Sequence, residues 1–173
     1  MKKNIHMVML GDSIIGRGDW KRVLFQGQIL NLGVDGDTTK GILNRLDSVI
    51  NLEPKLLFLM IGINDFCNSI PLNEIFENYK NILQKLKNNN INVIVHAILL
   101  TQMKSVNKKV LEFNKLLQEY CKKEEFTFFD MNPYLCENEL LKESFTTDGL
   151  HLNFKAYTLW ANEIKGNPFY HLN

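Results

Sequence analysis

Three residues in two distant segments of this sequence are of the types that a serine nucleophile requires. Ser13 lies in the segment LGDSI, and Asp148 and His151 lie in TDGLHLN. Hydrolysis by a serine needs its hydroxyl, a base that removes the hydroxyl proton, and a carboxylate that orients the base. Asp148 precedes His151 by about one helical turn, so its carboxylate can meet the imidazole N–H locally. The sequence therefore predicts a catalytic triad of Ser13, His151 and Asp148.

Such a site also needs hydrogen-bond donors for the negative oxygen of the tetrahedral intermediate. Gly33, in NLGVDGDTT, has no Cβ, so its backbone N–H can come close to a substrate oxygen. Asn64, in IGIND, offers a side-chain amide. The Ser13 backbone N–H becomes a third donor if a helix begins at this residue. Ser13, Gly33 and Asn64 are therefore the predicted oxyanion hole.

The elements that must position these residues are read from the hydrophobic pattern. Apolar runs predict five strands, at residues 5–10, 28–33, 55–62, 91–100 and 126–130. Apolar residues at helical spacing predict intervening helices, around residues 42–50, 75–86 and 106–121, and a last helix over about 154–165. Thr38 and Ser105 are predicted N-caps, and Pro71 marks another helix entry. Alternating strands and helices predict a parallel α/β sheet in one domain over residues 1–173, with ligands bound beyond the carboxyl ends of the strands.

Composition narrows the class of partner. The 173 residues include 20 Lys plus Arg and 19 Asp plus Glu, a net charge of +1, which gives no support to nucleic acid or an anionic membrane as a partner. No stretch approaches the roughly 20 apolar residues of a membrane span. The apolar run after the first lysines is interpreted as a strand and not as a signal peptide. Cys67, Cys121 and Cys136 form no CxxC pair, which favours a reducing cytoplasm over a disulfide framework or a zinc site.

The four polar segments, taken in order, resemble the blocks of the SGNH hydrolases, also called GDSL-type esterases and lipases. The resemblance implies a three-layer α/β/α, flavodoxin-like fold with five parallel strands. It also implies ester or thioester hydrolysis without metal or cofactor. It matches Ser13 to the nucleophile, Gly33 and Asn64 to the oxyanion residues, and Asp148 and His151 to the acid and base. The sequence departs from the family pattern at Ile14-Ile15, where the name motif has Leu, and at Ala156, where many relatives have Gly.

The substrate stays open at this stage. The loops after the third and fourth strands, residues 66–72 and 101–104, are short, and residues 131–147 form a longer approach to the Asp148–His151 motif. No insertion is large enough for a lid, which favours a small-molecule ester with a short acyl group, such as acetyl on a sugar. A lysophospholipid-like or thioester substrate, and transfer of the acyl group to an alcohol in place of water, remain alternatives. The oligomeric state cannot be read from the pattern, since an apolar helix stripe can face the core or a partner.

Parts of the sequence are also consistent with two other classes of protein. Asp12, Asp35, Asp65 and Asp130 follow predicted strands and could suggest a magnesium-dependent receiver or phosphotransfer domain. Against it, the first strand lacks a second acid shortly after Asp12, and no lysine ends the fifth strand. Alternatively, Ser13 could simply cap a helix in a non-catalytic binding domain with a relict site. The intact set of catalytic residue types argues against that reading.

Overall fold

A computed structural model describes residues 5–24 and 28–171. Residues 1–4, which include the two lysines before the first apolar run, lie outside this part of the chain. Five parallel strands form one sheet in the order β2-β1-β3-β4-β5. Their bounds are β1 Met7–Gly11, β2 Ile29–Gly33, β3 Leu56–Met60, β4 Asn92–His96 and β5 Thr127–Phe129. This order is that of flavodoxin-like folds, in which all strands are parallel and the order of strands along the sheet reverses between β1 and β3. The predicted fold class is therefore confirmed.

Helices cover both faces of the sheet. Their bounds are α1 Ser13–Gly16, α2 Trp20–Leu24, α3 Thr39–Ile50, α4 Ile63–Cys67, α5 Leu72–Asn88, α6 Lys104–Lys123, α7 Asn132–Leu135 and α8 Phe154–Gly166. α3, α5 and α6 pack side by side, and α2 packs on α8. In α8, the buried Trp160 ring lies against Phe58 of β3 and His96 of β4. The apolar faces of the sheet and helices therefore meet in one continuous core.

Two helix starts agree with the sequence and one does not. Thr38 is the N-cap of α3, and its hydroxyl accepts the Gly41 N–H at 3.2 Å. Pro71 is the N-cap residue of α5. Ser105 is not the N-cap, because α6 already begins at Lys104 and Met103 takes the N-cap position. The C=O of Met103 accepts the first bonds of α6, from the backbone N–H groups of Val106 and Asn107.

The fourth strand is shorter than the apolar run that predicted it. β4 ends at His96, whereas the prediction extended to Leu100. Beyond it, buried asparagine side chains replace sheet partners: Asn114 bonds both the N–H and the C=O of Ile98, each at 2.8 Å. Asn132 accepts the Leu100 N–H, and Asn107 bonds both the N–H and the C=O of Thr101. Residues 97–100 are buried although they form no strand. A buried segment needs hydrogen-bond partners for its backbone N–H and C=O groups, and these need not come from a neighbouring strand.

A short hairpin escaped the sequence pattern. β6, Cys136–Glu137, pairs antiparallel with β7, Leu140–Leu141. It lies in the segment between β5 and the Asp148–His151 motif, where two-residue strands leave no readable alternation.

No helix in residues 5–24 or 28–171 is long and apolar enough to cross a bilayer.

Candidate active site

A tight turn from β1 into α1 presents Ser13. Asp12 caps α1, because its Oδ1 accepts the Ile14 N–H at 2.9 Å. A Cβ on Gly11 would lie 2.1 Å from the Met60 carbonyl oxygen, so only glycine lets β1 run this close to β3 before it turns. Ser13 is the first residue of α1, where backbone N–H groups have no partner within the helix. The turn therefore offers both the Ser13 hydroxyl and its N–H at the carboxyl end of the sheet.

The three residues of the predicted triad lie in hydrogen-bond contact. Ser13 Oγ is 3.0 Å from His151 Nε2. His151 Nδ1 is 2.6 Å from Asp148 Oδ2. Because Nδ1 faces a carboxylate, we assign the proton to Nδ1, which leaves Nε2 as an acceptor for the Ser13 hydroxyl. Ser13 and His151, 138 positions apart in the chain, thus meet at one site.

The loop that carries the acid and base is fixed by its own hydrogen bonds. Asp148 Oδ1 accepts the backbone N–H of Leu150 at 3.0 Å and that of His151 at 2.7 Å. Thr146 Oγ1 donates to the His151 carbonyl at 2.7 Å. Gly149, at φ +87°, takes a conformation that other residues rarely adopt, and its carbonyl accepts the Gln102 N–H at 2.8 Å. The imidazole is therefore held by a loop tied to the segment that follows β4.

Asp148 is ionised at every pH at which the site would work. Its hydrogen bond from the His151 ring, followed by that from the His151 backbone N–H, lowers the pKa of the Asp148 carboxyl to about 2. A carboxylate that stays negative can hold the imidazole tautomer and stabilise its protonated form. The arrangement thus supplies the charge that a histidine base needs.

Gly33 lies directly against the nucleophile turn. A Cβ there would come within 2.1 Å of Gly16 N and 2.7 Å of the Asp12 carbonyl oxygen, so the close approach excludes any side chain. The Gly33 N–H donates to the side-chain oxygen of Asn31 at 3.0 Å. The Gly33 N–H, a predicted oxyanion donor, therefore lies beside the Ser13 turn and already has one acceptor.

Asn64 approaches from the third strand end. It lies in α4, and its Nδ2 donates to the Asp37 carbonyl at 2.8 Å. An amide nitrogen carries two protons, so this bond fixes the rotamer and leaves a second proton as a donor. Asp37 belongs to the loop after β2, next to Gly33. The structure thus brings Ser13, Gly33 and Asn64 to the carboxyl ends of three neighbouring strands.

Asn31 is a positioning residue that the sequence reasoning did not single out. Its Nδ2 lies within hydrogen-bond distance of three carbonyls at the end of α1, those of Ile15, Gly16 and Gly18. Its Oδ1 accepts the Gly33 N–H. One side chain therefore ties the nucleophile helix to the oxyanion glycine. A polar residue inside an apolar strand was the available signal.

The aspartates of the magnesium alternative have other partners. Asp65 accepts the Thr39 hydroxyl at 2.6 Å and the Thr39 N–H. Asp35 pairs with Arg17, and Asp130 accepts the Asn132 N–H at 2.8 Å. In the part of the chain that the structure describes, no three His, Cys, Asp or Glu residues are grouped so that they could hold a metal ion.

The pKa of the Asp12 carboxyl is also shifted from its ordinary value. It is 1% exposed, and this burial, with smaller contributions from Asp37 and Asp65, raises its pKa to about 7. The folded protein then binds more protons than the unfolded chain between about pH 4 and pH 7, so stability falls as pH rises through that range.

Asp12→Asn is expected to relieve this penalty while keeping an acceptor for the Ile14 N–H. The gain in unfolding free energy over the wild type should be about 2–3 kcal/mol larger at pH 8 than at pH 5. Urea unfolding at the two pH values measures it, with the exposed Asp35→Asn as the control. A gain of equal size at both pH values would contradict a raised pKa at Asp12.

A flavodoxin-like sheet with a serine, a histidine and an aspartate in contact at its strand ends has the architecture of a serine ester hydrolase. The chain belongs to the GDSL-like lipase/acylhydrolase family, whose model matches residues 9–159. The family resemblance read from the sequence is thus confirmed.

Individual curated relatives are similar to this chain at low sequence identity. The chain is 26% identical over 144 residues to an N-acylneuraminate cytidylyltransferase of Streptococcus agalactiae, covering 78% of this chain and 35% of that protein. It therefore spans about a third of the length of the curated relatives it matches.

Solved structures show the same fold. A GDSL-like lipase from Bacteroides thetaiotaomicron has a TM-score of 0.84 at 24% identity, covering 96% of this chain and 88% of that one. Axe2, an acetylxylan esterase from Geobacillus stearothermophilus, has a TM-score of 0.80 at 16% identity, with 95% and 94% covered. At these identities the likeness concerns the fold.

Proposed function

We propose that the protein hydrolyses short-chain carboxylic esters, acetyl esters above all, through an acyl-enzyme on Ser13. The observation that carries this proposal is the continuous hydrogen-bond chain from Ser13 Oγ to His151 at 3.0 Å and from His151 to Asp148 at 2.6 Å. Such a chain moves a proton off the hydroxyl and stabilises the resulting imidazolium.

The reaction would run in two halves. Ser13 Oγ attacks the ester carbonyl carbon while His151 Nε2 takes the hydroxyl proton. The tetrahedral oxyanion accepts hydrogen bonds from the Ser13 N–H, the Gly33 N–H and the Asn64 amide. As the C–O bond breaks, His151 gives its proton to the leaving alcohol. A water, deprotonated by His151, then attacks the acyl group, releases the acid and restores the Ser13 hydroxyl.

The donors of the oxyanion hole are unequal in this scheme. The Gly33 N–H must share its proton between the oxyanion and Asn31, as in a three-centre bond. Asn64 has a free amide proton, and its other proton is fixed on Asp37. Asn64 is therefore expected to make a large contribution.

Asn64→Ala is expected to lower kcat for p-nitrophenyl acetate by about 10²–10³, the usual cost of one oxyanion donor, with little change in KM. Steady-state kinetics measure the loss, and circular dichroism verifies that the variant is folded. Asn68→Ala, at the exposed end of the same short helix, is the matched control. Unaltered kcat in a folded Asn64→Ala protein would remove Asn64 from the mechanism.

The preference for acetyl esters is supported by the short loops after the third and fourth strands and by the names of similar proteins. Axe2 is named for acetylxylan, and the curated relatives are named for N-acylneuraminate. Both names concern acylated sugars. An acetyl group on a sugar hydroxyl is therefore the ester we favour, and O-acetylated N-acylneuraminate and acetylated xylan are the first natural substrates to assay.

The proposal is tested with p-nitrophenyl esters from acetate to decanoate and with an organophosphate label located by mass spectrometry. Fastest hydrolysis of acetate and a label on Ser13 would support it. A maximum at the long chains would favour the lysophospholipase or thioesterase alternative. Formation of a new ester with an added alcohol would indicate acyl transfer. Absence of both turnover and label would favour a binding domain with a relict site.

A further inference from the structure

One arginine contacts the ends of β1 and β2 and the loop that follows β2, beside the groups of the proposed oxyanion hole. Arg45 lies on α3, and its side chain is 26% exposed. Its Nη2 donates to the carbonyl oxygens of Leu32 at 2.9 Å and of Gly11 at 3.2 Å. Its Nε donates to Asp37 Oδ2 at 2.9 Å. The guanidinium thus binds two strand ends and the loop that follows β2.

Each of these partners is adjacent to a group of the proposed oxyanion hole. Gly11 begins the turn that presents Ser13, and Leu32 immediately precedes Gly33. The Asp37 carbonyl accepts the Asn64 amide at 2.8 Å. We propose that Arg45 is the positioning residue of the oxyanion hole, setting the relative placement of the three donors. This inference rests on the proposed function.

The chemistry of the guanidinium suits this task. It is planar, stays charged, and holds its five N–H donors in a fixed geometry. The Gly11 carbonyl also accepts the Val34 N–H at 3.0 Å, so the partly buried guanidinium adds a second bond there and joins this carbonyl to that of Leu32. The Asp37 side chain is only 10% exposed, and its other oxygen accepts the Thr38 N–H at 2.9 Å. The ion pair therefore has little freedom to move.

Lysine would not reproduce this arrangement. Its ammonium is a compact, strongly hydrated group at the end of a flexible stem, without the fork that reaches Asp37 and the two carbonyls together. Arg45→Lys therefore keeps the charge and loses the alignment, whereas Arg45→Met loses both. Lys40→Met is the matched control, because it removes a cation from an exposed position on the same helix.

The test compares kcat and KM of these variants on p-nitrophenyl acetate. Arg45→Met is expected to lower kcat by about 10- to 100-fold, with KM changed by less than about threefold. A misplaced donor reduces the stabilisation of the transition state and leaves substrate binding nearly unchanged. Arg45→Lys should show an intermediate loss, and Lys40→Met none. In the Asn64→Ala background, the Arg45→Met loss should shrink by at least about threefold, because one of the donors it aligns is already absent.

These outcomes separate the inference from the function on which it rests. Unaltered kcat in Arg45→Met, or an equal loss with and without Asn64, would overturn the positioning role while Ser13-dependent hydrolysis stands. Thermal unfolding of each variant shows which of them are folded, and Arg45→Lys is judged by the same criteria if Arg45→Met is not. Unfolding of both would assign Arg45 to stability alone and would also overturn the inference. Full activity in Ser13→Ala would overturn the function itself.

Discussion

Ser13→Ala is expected to lower kcat for p-nitrophenyl acetate by about 10⁶-fold, the scale seen when a triad serine is removed. The variant keeps the oxyanion donors and the His151–Asp148 pair but has no oxygen to form the acyl-enzyme. Ser13 is 6% exposed, and alanine fits the same space, so the fold should be retained. Steady-state kinetics and loss of organophosphate labelling measure the effect.

The matched control is Ser105→Ala, which removes an exposed hydroxyl from the first turn of α6. It should hydrolyse the ester at the wild-type rate. Ser13→Ala with the activity of Ser105→Ala would mean that another group, or background hydrolysis, accounts for turnover. The reading of Ser13 as a nucleophile would then be wrong.

Asp148→Asn is expected to lower kcat by about 10⁴, as in other triads where the orienting carboxylate becomes an amide. The carboxylate accepts the His151 Nδ1 proton at 2.6 Å and so leaves Nε2 free to accept the Ser13 proton. An amide can donate to Nδ1 and thereby favour the opposite tautomer, which puts the proton on the wrong nitrogen. It also removes the negative charge that stabilises the imidazolium.

The pH profile adds a second readout for this residue. The pKa of Asp148 is lowered to about 2, so its titration should contribute nothing to the activity profile above about pH 4. Asp47→Asn, an exposed carboxylate on α3 paired with Lys85, is the control and should retain full activity. A loss of less than about tenfold in Asp148→Asn would show that His151 is oriented by other contacts.

The strand ends and their chemistry were predictable because the information is local. Gly11-Asp12-Ser13, Gly33 and Asn64 each follow an apolar run, and parallel strands bring their carboxyl ends to one edge. Asp148 and His151 are three residues apart and needed no tertiary knowledge to be paired. The structure then places Ser13 within hydrogen-bond distance of His151, as the spacing and residue types suggested.

The contacts of the supporting residues were not predictable, because their partners carry no sequence signal, although a polar residue inside an apolar strand does mark Asn31 itself. Arg45 and Asn31 bind backbone carbonyls, which every residue has. The end of β4 was misplaced for a related reason. Its apolar run continues past His96, and the asparagines that satisfy the following backbone, such as Asn114 and Asn132, lie far along the chain. Apolar pattern reports burial and does not report which group supplies the hydrogen bond.

The buried asparagines beyond β4 have a consequence for how the enzyme would lose activity. They bond backbone groups of Ile98, Leu100 and Thr101, and the next residue, Gln102, donates to Gly149 in the loop that carries His151. The base is thus anchored to the sheet through side chains of α6 and α7. Local opening of these helices would release His151 while the sheet stays intact. We therefore expect heat or denaturant to lower the fraction of molecules with His151 in place before the fold as a whole is lost.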